Sequence, residues 1–283
     1  MILDKYIDLH VHSTCSDGTF TPEELVEYAL KKGLAAFALT DHDTTDGIRR
    51  AIAAAKDTPL LIIPGIELST EYHGSDVHIL GLGIHPDNPA FRNYLQQFRR
   101  SRDLRNEKMI QKLRDYGIDI SQDSMKEQFP DCVWTRAHFA LYLKSRGYVK
   151  EMWDAFPRYI GDHAPCYVPR EGITPAQAVR LVRSGGGHPV LAHPLLYHFK
   201  REKLEQLVST LAEEGLQGIE AIYSTNRGSD ESSMKQLARR HRLAITGGSD
   251  FHGANKKDID LGCGKGNLKI PYELWENLEK LPV

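Results

Sequence analysis

The chain has 283 residues, 41% of them hydrophobic, and a formal net charge of −2. Such a composition excludes a disordered polypeptide and supplies enough apolar mass for one large α/β domain or a domain carrying an insertion. The near-neutral charge excludes a molecule-wide field directed at nucleic acid or an anionic membrane, and no apolar run approaches membrane-spanning length.

Residues 7–11 read as a first strand, entered from Met1 without a basic leader or an apolar signal core. Thr21, Pro22 and Glu24 then supply an N-cap, a proline in the first helical turn and a capping-box acid, and Gly33 ends that helix. A short apolar run at 35–39 predicts a buried strand, followed by a helix over about 45–56 and further strands at 60–63 and 77–82. From 86 to 169 the pattern changes to long charged helical segments, 90–116 and 135–146, which predicts an inserted helical cap domain. Helices from 174, over 200–214 and over 230–241 then alternate with strands at 190–192, 218–223 and 243–246. Seven βα-like units predict a parallel sheet with right-handed crossovers, closed or nearly closed into a barrel. The expected division is a barrel from 1–85 and 170–283 with the cap at 86–169. The cap holds 14 Lys and Arg against 11 Asp and Glu, leaving 22 against 27 for the remainder. That division suggests a mildly basic lid over an acidic rim, suited to an anionic substrate. No internal repeat or low-complexity tract is present.

Along these strands lie short islands of imidazole and carboxylate. His10 and His12 sit on the first strand, where alternation points both rings to one face, and Asp17 follows five residues later. Asp41 and His42 follow the second strand and Glu67 the third; His78 lies on the fourth, His193 follows the fifth, and Asp250 and His252 follow the seventh. In a parallel barrel those strand ends share one rim, the usual place for an active site. The residue types suit zinc, manganese or iron, and cations so held ionise water near neutral pH and polarise phosphoryl or carbonyl oxygens. No nucleophile elbow, phosphate-binding loop or zinc-protease helix competes with this reading. Cys15, Cys132, Cys166 and Cys263 are widely spaced, without a C-x-x-C pair, so a reducing cytoplasm is the expected compartment.

The islands resemble the polymerase and histidinol phosphatase (PHP) domain family of metal-dependent phosphoesterases. The matching strings are DLHVHSTCSDG at 8–18, TDHDT at 40–44, PGIELS at 64–69, VHILG at 77–81, LAHP at 191–194 and GGSDFH at 247–252. The resemblance implies a distorted, TIM-barrel-like (β/α)7 barrel and a site for three divalent ions, manganese, iron or zinc. By the same likeness His10, His12, Glu67 and Asp250 would hold one ion, Glu67, His78 and His193 a second, and Asp17, His42 and His252 the third. Asp41 is read as a partner of the ligating imidazoles rather than a ligand.

The insertion, with RSRDLR at 100–105 and WTRAH at 134–138, looks like the branch of nucleotide bisphosphate phosphatases and 5'-3' exoribonucleases. In that likeness Arg102, Arg136 and His138 would hold a second phosphate, guanidinium being the natural bidentate partner. For the arginine-bearing helix the ordinary alternative is a solvated charged face. The expected substrate is a 3',5'-nucleotide bisphosphate or the 5' end of a short RNA, without a membrane or obligate protein partner. Three other readings stand beside it: a phosphatase of a non-nucleotide metabolite such as histidinol phosphate, a metal-dependent amidohydrolase, and a non-catalytic metal-binding module.

Overall fold

A computed structural model describes residues 5–169 and 173–283. The first four residues and the expected boundary at 170 lie outside the described residues.

Among the described residues, seven strands form one sheet whose spatial order equals the chain order. They are β1 (Ile7–Val11), β2 (Ala36–Leu39), β3 (Leu61–Tyr72), β4 (Ser75–Leu82), β5 (His188–Leu191), β6 (Gly218–Tyr223) and β7 (Ala244–Gly248). Just past β7 the chain returns to β1: Asp250 N–H donates to His10 O at 2.9 Å and His12 N–H to Phe251 O at 3.0 Å. The sheet thereby becomes a nearly closed seven-stranded barrel, as the sequence predicts.

The strand directions differ from the expected all-parallel pattern. β1–β2–β3 and β5–β6–β7 are parallel, but β4 runs antiparallel to both β3 and β5. The cause is local. β3 continues nine residues beyond the expected end at 63, and His73 and Gly74 then turn the chain with φ of 50° and 78°. Positive φ at both central residues gives the two-residue hairpin geometry that matches strand twist.

Helices α1 (Pro22–Lys31) and α2 (Ile48–Ala54) pack beside the first strands. The capping box at α1 forms as expected, with Glu24 N–H donating to Thr21 Oγ1 at 3.2 Å and Thr21 N–H to Glu24 Oε2 at 2.8 Å. Between β4 and β5 come α3 (Pro89–Asp115), α4 (Gln122–Gln128) and α5 (Arg136–Ser145). The second half of α3 joins an apolar cluster with α4 and α5 through Met109, Leu113, Met125, Phe139 and Leu143. Its first half instead joins the barrel's cluster through Phe91, Leu95 and Phe98, against Val179 and Val182 of α6 (Pro175–Ser184). One helix thus packs on both the barrel's cluster and the α4–α5 cluster. Helices α7 (Arg201–Glu213) and α8 (Asp230–Arg240) cover the later strands, and α9 (Glu273–Glu279) places Trp275 and Leu278 against Ile7, Leu82 and Val190. Among the described residues, no helix is long and apolar enough to cross a membrane.

Candidate metal centre

All nine expected ligands converge, although they are spread over more than 240 positions of the chain. Strand alternation puts His10 and His12 on one face of β1, both fully buried. Glu67 lies within β3, and His42 reaches it from the loop after β2 through a parallel bridge. Because β4 is reversed, its beginning rather than its end reaches the rim, and His78 stands opposite Ser69. His193, Asp250 and His252 follow β5 and β7 directly.

Three residues here adopt left-handed backbone conformations: Asp43 at φ 52°, His193 at 25° and Asp250 at 57°. Side chains other than glycine rarely occupy that region, and such strain gathers at functional sites. Each is pinned by its own N–H, from Asp43 to Glu67 O at 3.0 Å, from His193 to Glu220 Oε2 at 2.8 Å, and from Asp250 to His10 O at 2.9 Å.

Glu67 is the hub. Its Oε1 lies 2.8 Å from His78 Nδ1 and 2.9 Å from His193 Nε2, while Oε2 lies 3.1 Å from His12 Nε2, 3.2 Å from His42 Nδ1 and 3.3 Å from His10 Nε2. Asp250 Oδ1 adds a second carboxylate 3.4 Å from His12 Nε2 and 3.6 Å from His10 Nε2. Asp17 Oδ1 sits 3.2 Å from His252 Nε2, and Asp17 Oδ2 sits 3.8 Å from His42 Nε2. With metal–ligand bonds of about 2.1 Å, neighbouring ligands of one cation lie about 3.0–3.4 Å apart, which the His12–Glu67, His10–Glu67, His12–Asp250 and Asp17–His252 separations match. The donor atoms fit cations for a second reason. His10 Nε2, His12 Nε2 and Asp17 Oδ1 are buried without a hydrogen-bond partner, a costly state unless something else satisfies them.

Protonation also suits metal binding, which needs neutral imidazole and ionised carboxylate. Burial opposes charge on Glu67, but His42, His78 and His10 outweigh it and hold the carboxyl well below its ordinary range. Asp17 is likewise held down against burial by His252 and His42, and Asp250 by Lys256 and His10. Burial and the neighbouring His252 push His12 down to about 4. His10 moves the other way: burial opposes its charge, yet Glu220, Glu67 and Asp250 raise it well above the usual value. A proton there answers the same carboxylates that a cation would.

The imidazoles are aimed from behind. His10 Nδ1 donates to Glu220 Oε1 at 3.0 Å and His252 Nδ1 to Asp250 O at 2.9 Å, leaving each Nε2 to face inward. Glu220 escaped the sequence reading, although a single acid inside the otherwise apolar strand GIEAIY was the available signal. Tyr223 and Lys256 were also missed; Tyr223 OH and Lys256 Nζ each donate to Asp250 Oδ2 at 2.6 Å. Asp41 acts at one remove, accepting from Ser13 N–H at 2.8 Å and from Ser16 Oγ at 2.6 Å, with Ser16 Oγ 3.5 Å from His12 Nδ1.

Above the cluster opens a cavity of about 350 Å³, with Arg102, Arg105, Arg136 and Lys256 in its wall. The arginines on α3 do not share one solvated face. Phe91, Leu95, Phe98, Arg102, Arg105, Met109 and Leu113 form the helix's buried stripe, so Arg102 and Arg105 occupy positions a core residue would take. Arg102 is 2% exposed, its Nε donating to Asp43 Oδ2 and one Nη to Ser69 Oγ, both at 2.6 Å. Arg136 pairs with Asp76 at 2.8 Å and Asp162 at 2.9 Å. His138 is turned to the start of its own helix, where Nδ1 accepts the Thr135 N–H at 2.9 Å, and burial lowers it to about 4.

A family model for the PHP domain matches residues 8–158. The chain is 35% identical to a 3',5'-nucleoside bisphosphate phosphatase of Chromobacterium violaceum over 275 residues, covering 96% of both proteins. It is 34% identical to the 5'-3' exoribonuclease Rnm of Escherichia coli over 247 residues, covering 87% of this chain and 84% of that one. A solved structure described as an amidohydrolase from Chromobacterium violaceum, with bound sulfate and no metal, superposes with a TM-score of 0.86 at 34% identity, covering 97% of this chain and 96% of the other.

Proposed function

Because the chain belongs to the PHP domain family, we propose that it removes phosphate from a nucleoside 3',5'-bisphosphate or from the 5' end of a short RNA. It is a metal-dependent phosphoesterase. The observation that carries the narrower reading is the placement of arginine and lysine in the wall of the same cavity whose floor is the Glu67-centred ligand cluster. One phosphate can lie on the floor while a second meets the wall.

The proposed complement is three divalent cations, manganese, iron or zinc. His10, His12, Glu67 and Asp250 would hold one, Glu67, His78 and His193 another, and Asp17, His42 and His252 the third. Bound there, they would supply a water ionised near neutral pH and positive charge for the phosphoryl oxygens. The chain's own groups do the positioning. Glu67 presents one oxygen to each of two imidazole sets, and Glu220 fixes the ring of His10. Arg136 binds the second phosphate, with its guanidinium steadied by Asp76 and Asp162 and stacked 5.5 Å over Tyr167. In this reading Arg105 and Lys256 are the other cationic wall groups, Arg102 holds Asp43 in place, and His138 serves the start of α5. The proposed compartment is the cytoplasm, in keeping with four free cysteines.

The test is phosphate release from adenosine 3',5'-bisphosphate, a short 5'-phosphorylated RNA, histidinol phosphate and a simple aryl phosphate, with hydrolysis of an amide panel measured alongside. A preference in kcat/KM for either nucleotide substrate supports the proposal. Preference for histidinol phosphate or an amide overturns it.

A further inference from the structure

Several polar contacts from the insertion end beside Asp17 and His42. Thr135, immediately before α5, donates its hydroxyl to Asp17 Oδ2 at 2.8 Å across 118 positions of sequence. The same Oγ1 accepts the Ala137 N–H at 3.1 Å and lies 3.3 Å from His138 Nδ1, but that nitrogen already takes the Thr135 N–H, and the nearer, charged Asp17 oxygen is the stronger acceptor for the single hydroxyl proton. From α3, Arg102 holds Asp43 and Ser69, and Ser69 Oγ lies 3.4 Å from His42 Nδ1. Asp17 and His42 belong to one ligand group with His252 and His12. Among the expected ligands Asp17 stands apart, because it lies in a turn between β1 and α1 rather than on or next to a strand end. Its remaining oxygen, Oδ1, is buried and has no hydrogen-bond partner.

We infer that Thr135 is a positioning residue for the cation held by Asp17, His42 and His252, and that this cation binds fully only when the insertion is docked on the barrel. The inference rests on the metal-centre reading above. Without the hydroxyl, the Asp17 carboxylate loses a side-chain donor that fixes its rotation, and a ligand that must choose its orientation on binding holds a cation less tightly. The neighbouring Arg136 lines the cavity, so contact with a phosphate there is one peptide away from Thr135.

The experiment compares the full-length protein with Thr135→Val and Thr135→Ser after removal of all metal and titration with manganese. Bound manganese per chain is read by mass spectrometry, and the individual affinities by calorimetry. Valine keeps the volume and loses both hydrogen bonds, whereas serine keeps both. Thr135→Val should weaken the weakest of the bound ions about 10- to 100-fold while leaving the others unchanged, and Thr135→Ser should match the unaltered protein. In an Asp17→Asn background Thr135→Val should have no further effect, which a merely structural role of the hydroxyl would not produce. Circular dichroism verifies folding, and Thr135→Ala takes the place of valine if the methyl groups disturb the start of α5. Unchanged manganese affinities in the folded variant overturn the inference alone. An unaltered protein that binds no manganese, iron or zinc overturns the metal reading beneath it.

Discussion

Glu220 Oε1 lies 3.0 Å from Nδ1 of His10, with both side chains wholly buried. The other carboxylate oxygen accepts the N–H of His193, so one acid orients a proposed ligand on β1 and fixes the strained backbone of another after β5. Glu220→Gln keeps the shape but turns one acceptor into a donor. Affinity for the first manganese should fall about 10- to 100-fold, as it does when carboxylate support of ligating histidines is lost. The metal-free protein should lose about 1–3 kcal/mol for the unsatisfied buried groups, read from urea unfolding.

Removal of metal should abolish phosphate release and be reversed by a single added divalent ion. The carboxylates of Asp17, Glu67 and Asp250 crowd a buried space in which Lys256 reaches only Asp250. Cations should therefore also raise the melting temperature, by the linkage between binding and folding. A chelated protein that turns over substrate normally, or melts unchanged when manganese is restored, contradicts the site.

Arg136→Ala should discriminate between substrates. Charge-assisted hydrogen bonds contribute about 1.5–3 kcal/mol, so kcat/KM for adenosine 3',5'-bisphosphate should fall about 10- to 100-fold. An aryl phosphate offers no second phosphate and should be hydrolysed nearly as before. Equal losses on both would assign Arg136 a structural role, through its pairs with Asp76 and Asp162.

Two arginines of α3 three residues apart should behave differently when removed. Arg102→Ala leaves the fully buried Asp43 without its guanidinium and should cost about 3–5 kcal/mol of stability. Arg99→Ala removes a pairing with Asp46 at the surface and should cost about 0–1 kcal/mol. Urea titrations of both variants, compared at equal m-values, test this.

Much of the fold and most of the site could be read directly. The alternation of apolar runs with capped helices gives the strands, and Thr21 and Thr174 mark two helix starts that form as expected. Each ligand type is chemically distinctive and stands next to a buried strand or turn. The hairpin escaped because His73 before Gly74 is an unusual occupant of a left-handed turn position, so β3 seemed to end at residue 63. The burial of Arg102 and Arg105 escaped because charge was weighed ahead of position, although their spacing from Phe98 and Met109 follows the buried stripe of α3.

The sequence by itself determined which residues can bind metal and that they recur beside strands, because ligand chemistry and strand periodicity are local properties. Tertiary structure decided which atoms face one another. The reversed β4 brings the start of a strand, and His78 with it, to the rim that parallel strands reach with their ends. Glu220, Thr135 and Arg102 gain their roles from partners 210, 118 and 59 positions away, and no local pattern encodes a contact whose energy exists only after the chain has closed on itself.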